Sequence, residues 1–313
     1  MAEPIVIVGC TASGKSDLAE AVAARLGATI LAVDSMQVYR GMDIGTAKPD
    51  AATRARIPHA MIDVADPWES YSAARFAAEA RPILEAHQSA GRPIVLIGGT
   101  ILYLRALLEG LFEGPSADAD VRAGLQAEAD RAGVPALHAR LAEVDPLAGS
   151  RIHPNDLRRI VRALEIHQLT GQRISDLQTQ WNRDHPAIEA RFIGVRREKE
   201  ALGRRINARV KAMQAAGLME EVQRLAAEPR GFSEEASSAV GYRQLLDHLA
   251  GKCTLEEAIE RIKIDTRHLA KLQRTWLKRF PNVQWLEAEE GQSGGDLVEA
   301  ALKIISAEMS EQS

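Results

Sequence analysis

Ile5-Val6-Ile7-Val8 runs straight into Gly9-Cys10-Thr11-Ala12-Ser13-Gly14-Lys15-Ser16, and this junction decides the fold. Four β-branched residues in a row read as a strand buried on both faces. The glycine-rich run lets backbone N–H groups converge on an anion, and the helix that follows, from about Asp17 to Leu26, aims its positive dipole end at the same point. Lys15 adds a point charge and Ser16 a hydroxyl for Mg²⁺. The sequence therefore predicts a loop, Gly9, Cys10, Thr11, Ala12, Ser13, Gly14, Lys15 and Ser16, that binds a diphosphate or polyphosphate, with Ser16 on the metal. A glycine-rich turn with no ligand would not need this strand before it and this helix after it.

Working outward, Ala28 to Val33, ending at Asp34-Ser35, and Pro93 to Ile97, ending at Gly98-Gly99-Thr100, read as further buried parallel strands. Helical patterns over Ser72 to Ala90 and Leu102 to Leu111 separate them. The fold class is α/β, a P-loop NTPase-like parallel sheet core. Ligands of such sheets gather at the C-terminal ends of the strands, so Asp34, Thr100 and the phosphate loop are expected to converge on one cleft. From about Pro115 to Arg191 the strand signal disappears and helical spacing takes over, as in Leu157, Ile160, Val161 and Leu164 before Gly171. The boundaries that follow are 1–114 with 192–313 for the core and its C-terminal helices, and 115–191 for an inserted all-helical domain. Helical patterns return from Lys199 to Leu225 and from Leu255 to Phe280, a short strand-like stretch covers Val283 to Leu286, and the last twenty or so residues are weakly specified.

The chain has 313 residues, 46% hydrophobic and 26% charged, with a net charge of −4. This is ordinary globular composition. No apolar stretch approaches the roughly 20 residues of a membrane span, and the first residues enter a strand with no leader before it, so a cytoplasmic, soluble protein is expected, with a monomer as its simplest state. Its two cysteines, Cys10 and Cys253, cannot build a disulfide framework, and neither has a Cys or His neighbour at zinc spacing.

The acidic total hides a basic patch. Between Arg261 and Arg279 lie seven Lys or Arg and one acid, Asp265. At about 100° per residue, Lys263, Arg267, Lys271, Arg274 and Lys278 share one face, with Ile262, Leu269, Leu272 and Trp276 expected to pack on the other. A solvated helix face normally mixes signs at i and i+4. The single sign here points to a phosphate backbone. A second cluster, Arg158, Arg159 and Arg162, is partly offset by Glu165, and the two together suggest an RNA cradle.

A conventional P-loop ATPase or kinase ends a strand with the acid that serves its Mg²⁺. Pro93 to Ile97 ends in Gly-Gly-Thr instead, although Asp34 could supply that acid from another strand. Two other readings stand beside a group transferase: an ATP-dependent small-molecule kinase, which needs the same loop but no basic helix, and an RNA-binding module with no chemistry, in which replacing Asp34 would leave function intact.

Gly9 to Ser16, then Asp34-Ser35-Met36-Gln37-Val38-Tyr39-Arg40-Gly41-Met42-Asp43-Ile44-Gly45-Thr46-Ala47-Lys48-Pro49, resemble the tRNA dimethylallyltransferases, bacterial type. The similarity continues through Gly98-Gly99-Thr100 with Tyr103, Leu107 to Gly110, Arg151 to Asp156, Val240 to Gln244 and Gln273 to Leu277, nearly the whole chain. The resemblance implies transfer of a dimethylallyl group from dimethylallyl diphosphate to N6 of the adenosine 3′-adjacent to the anticodon, in tRNAs reading codons that start with U. The loop would then hold a prenyl diphosphate, and the inserted domain would contact tRNA.

Adenine's amino lone pair is delocalised into the ring, so the nitrogen attacks poorly unless a base takes its proton as the C–N bond forms. The resemblance makes Asp34 that base; a Mg²⁺ ligand or a helix cap is the other reading of the same carboxylate. It has Thr100 position the amine and Arg209 hold the diphosphate, with Arg205 one helical turn away as the competing arginine. The target base must turn out of the stacked loop into a pocket between the phosphate loop and the helical region. The stretches implied to contact tRNA are Asp34, Ser35, Met36 and Gln37; Thr100; Leu157, Arg158, Arg159, Ile160 and Val161; Ser238, Ala239, Val240, Gly241, Tyr242 and Arg243; and Lys271, Leu272, Gln273, Arg274, Thr275, Trp276, Leu277 and Lys278. Arg122 would help fill the space the flipped base leaves.

Two departures follow. Cys10 stands where the family usually has proline, which places a thiol beside a helix N-terminus, where it either gains reactivity or packs. The sequence also lacks the Cys/His zinc-finger extension of eukaryotic relatives.

Overall fold

The computed structural model describes residues 3–111, 114–115, 117–178, 188–289 and 294–311. Six strands form one sheet in the order β3-β2-β4-β1-β5-β6. They are β1 (Ile5–Gly9), β2 (Thr29–Val33), β3 (His59–Ala60), β4 (Ile94–Gly98), β5 (Arg191–Arg196) and β6 (Gln284–Glu287), and every pairing is parallel. β1 lies between β4 and β5, so its Ile5-Val6-Ile7-Val8 run is buried on both faces. One face packs Val6, Val8, Leu31, Val33, Ile94 and Leu96 into the larger core; the other packs Ile5, Ile7, Ile30, Val95 and Ile193 against Leu18, Val22 and Ala23. Each such buried aliphatic side chain contributes about 1.5–3 kcal/mol, which is why the continuous runs dictate the sheet.

Three predicted strands and their helices appear close to their predicted ends, the helices as Lys15–Leu26, Ala73–Ser89 and Ile101–Leu108. β6 falls on the strand-like stretch Val283 to Leu286, whereas β3, of two residues, and β5 were not expected. The last residues, weakly specified in sequence, form the helix Gly294–Glu311, whose Leu297, Val298, Ala301 and Ile305 join the second core. The stretch Lys199 to Leu225 divides into Lys199–Ala215 and Leu218–Ala226, broken at Gly217, which adopts the left-handed region at φ 94°. Leu255–Leu277 is a single helix of 23 residues, started by a Thr254/Glu257 capping box.

The chain divides into two compact units, Met1–Leu108 with Ile188–Ser313, and Glu109–Ala187. The sequence reading set the second at 115–191; β5 begins at Arg191 and belongs to the sheet. Among its described residues the regular structure of the second unit is helical, with Leu125, Leu137, Leu141, Ile160, Leu164 and Ile166 at its centre.

Candidate active site

At the C-terminal edge of the sheet, β1 turns into the Lys15–Leu26 helix through the phosphate loop. Ala12 and Gly14 both take left-handed backbone, φ 62° and 97°, which curls the loop so that Ser13 N–H returns to Cys10 O at 3.1 Å. Three side chains from outside fix it. Arg197 Nε donates to Ser13 O at 2.7 Å, Arg205 Nε donates to Ala12 O at 2.9 Å, and Gln273 Oε1 accepts from Thr11 N–H at 2.7 Å. Lys15 Nζ reaches Cys10 O at 3.5 Å. Burial pushes the Lys15 ammonium below its usual pKa, and the charge of Asp34 opposes that shift. An anion in the loop would restore it.

Two arginines compete for the diphosphate in sequence; both line the cleft, and they make different contacts. Arg205 is engaged by Ala12 O and lies 3.8 Å from Asp17. Arg209 is half-buried, its Nη1 is 3.5 Å from Thr11 Oγ1, and burial lowers its pKa against the opposing charge of Asp34. Lys15 and Arg209 thus both sit within electrostatic reach of Asp34.

Asp34 ends β2. Its Oδ1 accepts Met36 N–H at 2.9 Å and Gln37 N–H at 3.4 Å, while Oδ2 makes no hydrogen bond among the described residues. One oxygen caps the turn, which is the cap reading. Thr100, after β4, accepts Ser35 N–H on Oγ1 at 3.1 Å, which ties the ends of β2 and β4 together. Asp34, Met36, Gln37, Lys15, Ser16 and Arg209 line one cleft of about 1740 Å³. A single small-molecule site takes roughly 300–1,000 Å³, so this cleft has room for two substrates side by side.

Among the described residues no three His, Cys, Asp or Glu gather as a metal site. Mg²⁺ bound with phosphates needs only one or two protein oxygens, and the exposed Ser16 hydroxyl at the mouth of the loop fits that requirement. Cys10 packs: it is buried with Leu202, Ile206 and Ala270, and burial pushes its thiol up despite Lys15 and Arg274 nearby. The activating reading of its position is thereby corrected, because desolvation outweighs the two cations.

The basic helix is more partnered than its sequence implies. Lys263 pairs with Glu260 at 2.5 Å, Arg261 with Asp247 at 3.6 Å, Asp265 with Arg243 at 2.6 Å, and Arg267 Nη2 donates to Asn207 at 2.6 Å. Lys271, Arg274 and Lys278 are exposed and make no ion pair among the described residues. Its packing face is also rotated from the predicted one. Ala258, Ile259, Ile262, Ala270 and Leu277 are buried, whereas Leu269 and Leu272 are 37% and 58% exposed. The small Ala258 and Ala270 take buried positions, while Leu269 lines the cleft and Leu272 is exposed.

Of the remaining expected RNA contacts, Val240 and Gly241 line the cleft and Ser238 and Thr275 are exposed. Ala239, Tyr242 and Leu277 are buried in the core of the first unit, and Trp276 is half-buried against it, so those stretches present their exposed neighbours. In the second unit Ile160 is likewise buried and Leu157 and Val161 pack beside it. Arg158 and Arg159 are exposed, Arg159 lying 3.4 Å from Asp156. Arg122 and Arg162 both engage Glu165, at 2.8 and 2.6 Å. Burial pushes the Glu165 carboxyl up, but the two arginines and Asp118 N–H bring it below the usual range.

Sequence reasoning missed Glu221. It is buried on the Leu218–Ala226 helix, and it accepts N–H bonds from Asp43, Ile44 and Gly45 at 2.9, 2.8 and 3.2 Å, fixing one wall of the cleft. Nothing in an amphipathic helix distinguishes such a glutamate from a solvated one.

A glycine-rich loop and helix N-terminus at the C-terminal edge of a parallel sheet, with lysine, arginine and aspartate facing one cleft, define a P-loop-type enzyme that works on a phosphorylated substrate. The model of the IPP transferase family matches residues 37–280, and the chain belongs to that family. It is 50% identical to a tRNA dimethylallyltransferase of Halorhodospira halophila over 300 residues, covering 92% of this chain and 96% of the relative. It is 44% identical to tRNA dimethylallyltransferase 2 of Hahella chejuensis, covering 96% and 94%. Among solved structures it resembles a full-length tRNA isopentenylpyrophosphate transferase from Bacillus halodurans, with TM-score 0.70, 37% identity and 100% of both chains covered. It also resembles a eukaryotic dimethylallyltransferase captured acting on tRNA, with TM-score 0.80, 26% identity, and 98% of this chain and 80% of that one covered.

Proposed function

We propose that the chain transfers the dimethylallyl group of dimethylallyl diphosphate to N6 of the adenosine 3′-adjacent to the anticodon in tRNAs reading codons that start with U, giving N6-dimethylallyladenosine and diphosphate. The observation that carries this reading is the half-capped Asp34, one carboxylate oxygen bound to Met36 N–H and the other without a hydrogen bond among the described residues, facing the same cleft as Lys15 and Arg209.

The flipped adenine enters the cleft with its amino group toward Asp34 and Thr100. As N6 attacks the allylic carbon, Asp34 Oδ2 takes an N6 proton and the carbon–oxygen bond to diphosphate breaks. Lys15, Arg209 and the loop amides hold the charge that develops on the leaving group. The Ser16 hydroxyl would hold Mg²⁺, which would supply Lewis-acid stabilisation of the leaving group. Arg205 and Arg197 keep the loop in shape through its carbonyls. Lys271, Arg274 and Lys278 meet the RNA backbone, and Arg158 and Arg159 extend contact to tRNA from the second unit. The reading has the chain act as a monomer in the cytoplasm; among the described residues no helix is long and apolar enough to cross a membrane.

The test is to incubate the protein with Mg²⁺, unmodified tRNA and dimethylallyl diphosphate labelled in the C5 group. Label in RNA and an equal yield of diphosphate are expected. In a parallel incubation with ATP and no RNA, consumption of ATP would favour the kinase instead, and RNA binding with neither transfer nor ATP turnover would leave a binding module.

A further inference from the structure

Gln273 joins three parts of the site. It sits on the half of the Leu255–Leu277 helix that carries the unpaired cations, between Lys271 and Arg274. Its Oε1 accepts Thr11 N–H at 2.7 Å and its Nε2 donates to Gly99 O at 3.2 Å. The fit is tight, because a Cβ on Gly99 would overlap the Gln273 amide. Thr11 belongs to the phosphate loop and faces Arg209. Gly99 precedes Thr100, whose hydroxyl holds Ser35 beside Asp34. One amide side chain is therefore bonded to the diphosphate loop and to the strand end that positions the amine, from a helix whose outer face is built for RNA.

We propose that Gln273 is a positioning residue that couples the two substrates, so that RNA on the cationic face and diphosphate in the loop each tighten the binding of the other. The proposal rests on the function proposed above. A ligand tightens another's binding when it orders something that the other must also order. RNA phosphates on Lys271, Arg274 and Lys278 immobilise the helix segment that carries Gln273. An immobilised Gln273 presets Thr11 and Gly99, so the second ligand meets a loop already ordered. Coupling of this kind is reciprocal, and the same factor must appear whichever ligand binds first.

The experiment measures the dissociation constant of inorganic pyrophosphate, with Mg²⁺, in the absence and presence of saturating anticodon stem-loop RNA. Wild-type protein, Gln273→Ala and Gln273→Met are compared; methionine preserves the volume of glutamine and keeps the helix packed while removing both hydrogen bonds. The ratio of the two constants should be at least about fivefold in the wild type and close to one in both variants, even where the separate affinities fall. A purely structural brace would weaken each affinity and leave the ratio unchanged. A wild-type ratio of one, or a ratio retained in Gln273→Met, overturns the proposal. Prenyl transfer by the wild type, assayed in parallel, reports separately on the function: absence of transfer beside intact coupling would sink that reading alone.

Discussion

Glu221 accepts the phenol O–H of Tyr242 at 2.5 Å on the same oxygen that receives Gly45 N–H. Its other oxygen takes Asp43 and Ile44 N–H, so one buried carboxylate holds a whole turn of the motif that begins at Asp34. Gln37 Nε2 closes the circuit by donating to Thr46 O at 3.2 Å. Burial and the neighbouring Glu221 push the Tyr242 phenol well up, so it remains a donor. Glu221→Ala strands three amides and a phenol and should lose about 3–5 kcal/mol of stability in urea unfolding. Tyr242→Phe should lose about 1 kcal/mol. A loss below that for Glu221→Ala would show that the turn stands without its anchor.

Lys15 trades stability for function. Because burial lowers its pKa, the native state releases this proton more readily than the unfolded chain does. Stability therefore rises as pH climbs through the folded pKa toward the unfolded value, and the protonated lysine is a net cost at neutral pH. Lys15→Met should raise Tm by about 2 °C or more while abolishing prenyl transfer. An unchanged or lower Tm would mean that Asp34 and the loop carbonyl already offset the desolvation.

How much of this was legible in sequence follows from the physics of each element. β1, β2 and β4 announce themselves because strands at the centre of a parallel sheet need unbroken apolar runs. β5 hides because its apolar core, Phe192 to Val195, is bracketed by Arg191 and Arg196, the former pairing with Glu3 at 2.7 Å. The Leu255–Leu277 helix is plain in sequence but its rotation is not, since Ala258 and Ala270 take buried positions while Leu269 lines the cleft and Leu272 is exposed. The loop and Asp34 could be named from motif alone, whereas the motif left Arg209 and Arg205 as competing arginines. Glu221 and the bracing role of Gln273 could not, because both depend on which backbone groups arrive from distant segments.

Cys10 should be chemically silent. With its thiol buried and its pKa raised, iodoacetamide applied to native protein between pH 7 and 8 should label the half-buried Cys253 and leave Cys10 unmodified until denaturant is added. Native-state labelling of Cys10 at the faster rate would show an activated thiolate.

Lys271, Arg274 and Lys278 should act as phosphate contacts. Replacing all three with alanine should weaken tRNA binding and flatten the plot of log affinity against log salt by about 2 units, at roughly 0.7 per phosphate of single-stranded RNA. Neutralising Lys263 and Arg261, which pair with Glu260 and Asp247, should change that slope far less. Equal effects from both sets would contradict the division of this helix into a partnered and an RNA-facing half.

The central claim is that Asp34 is the base for a prenyl transfer to adenosine. Mass spectrometry of anticodon-loop nucleosides, after incubating the protein with unmodified tRNA, Mg²⁺ and dimethylallyl diphosphate, tests it directly beside Asp34→Asn and Asp34→Ala. The account predicts an added C5H8 mass on the adenosine next to the anticodon, formed about 10²–10⁴-fold more slowly by both variants, although asparagine retains the cap to Met36. An unmodified adenosine with folded, tRNA-binding wild-type protein, or full activity in Asp34→Asn, would contradict it.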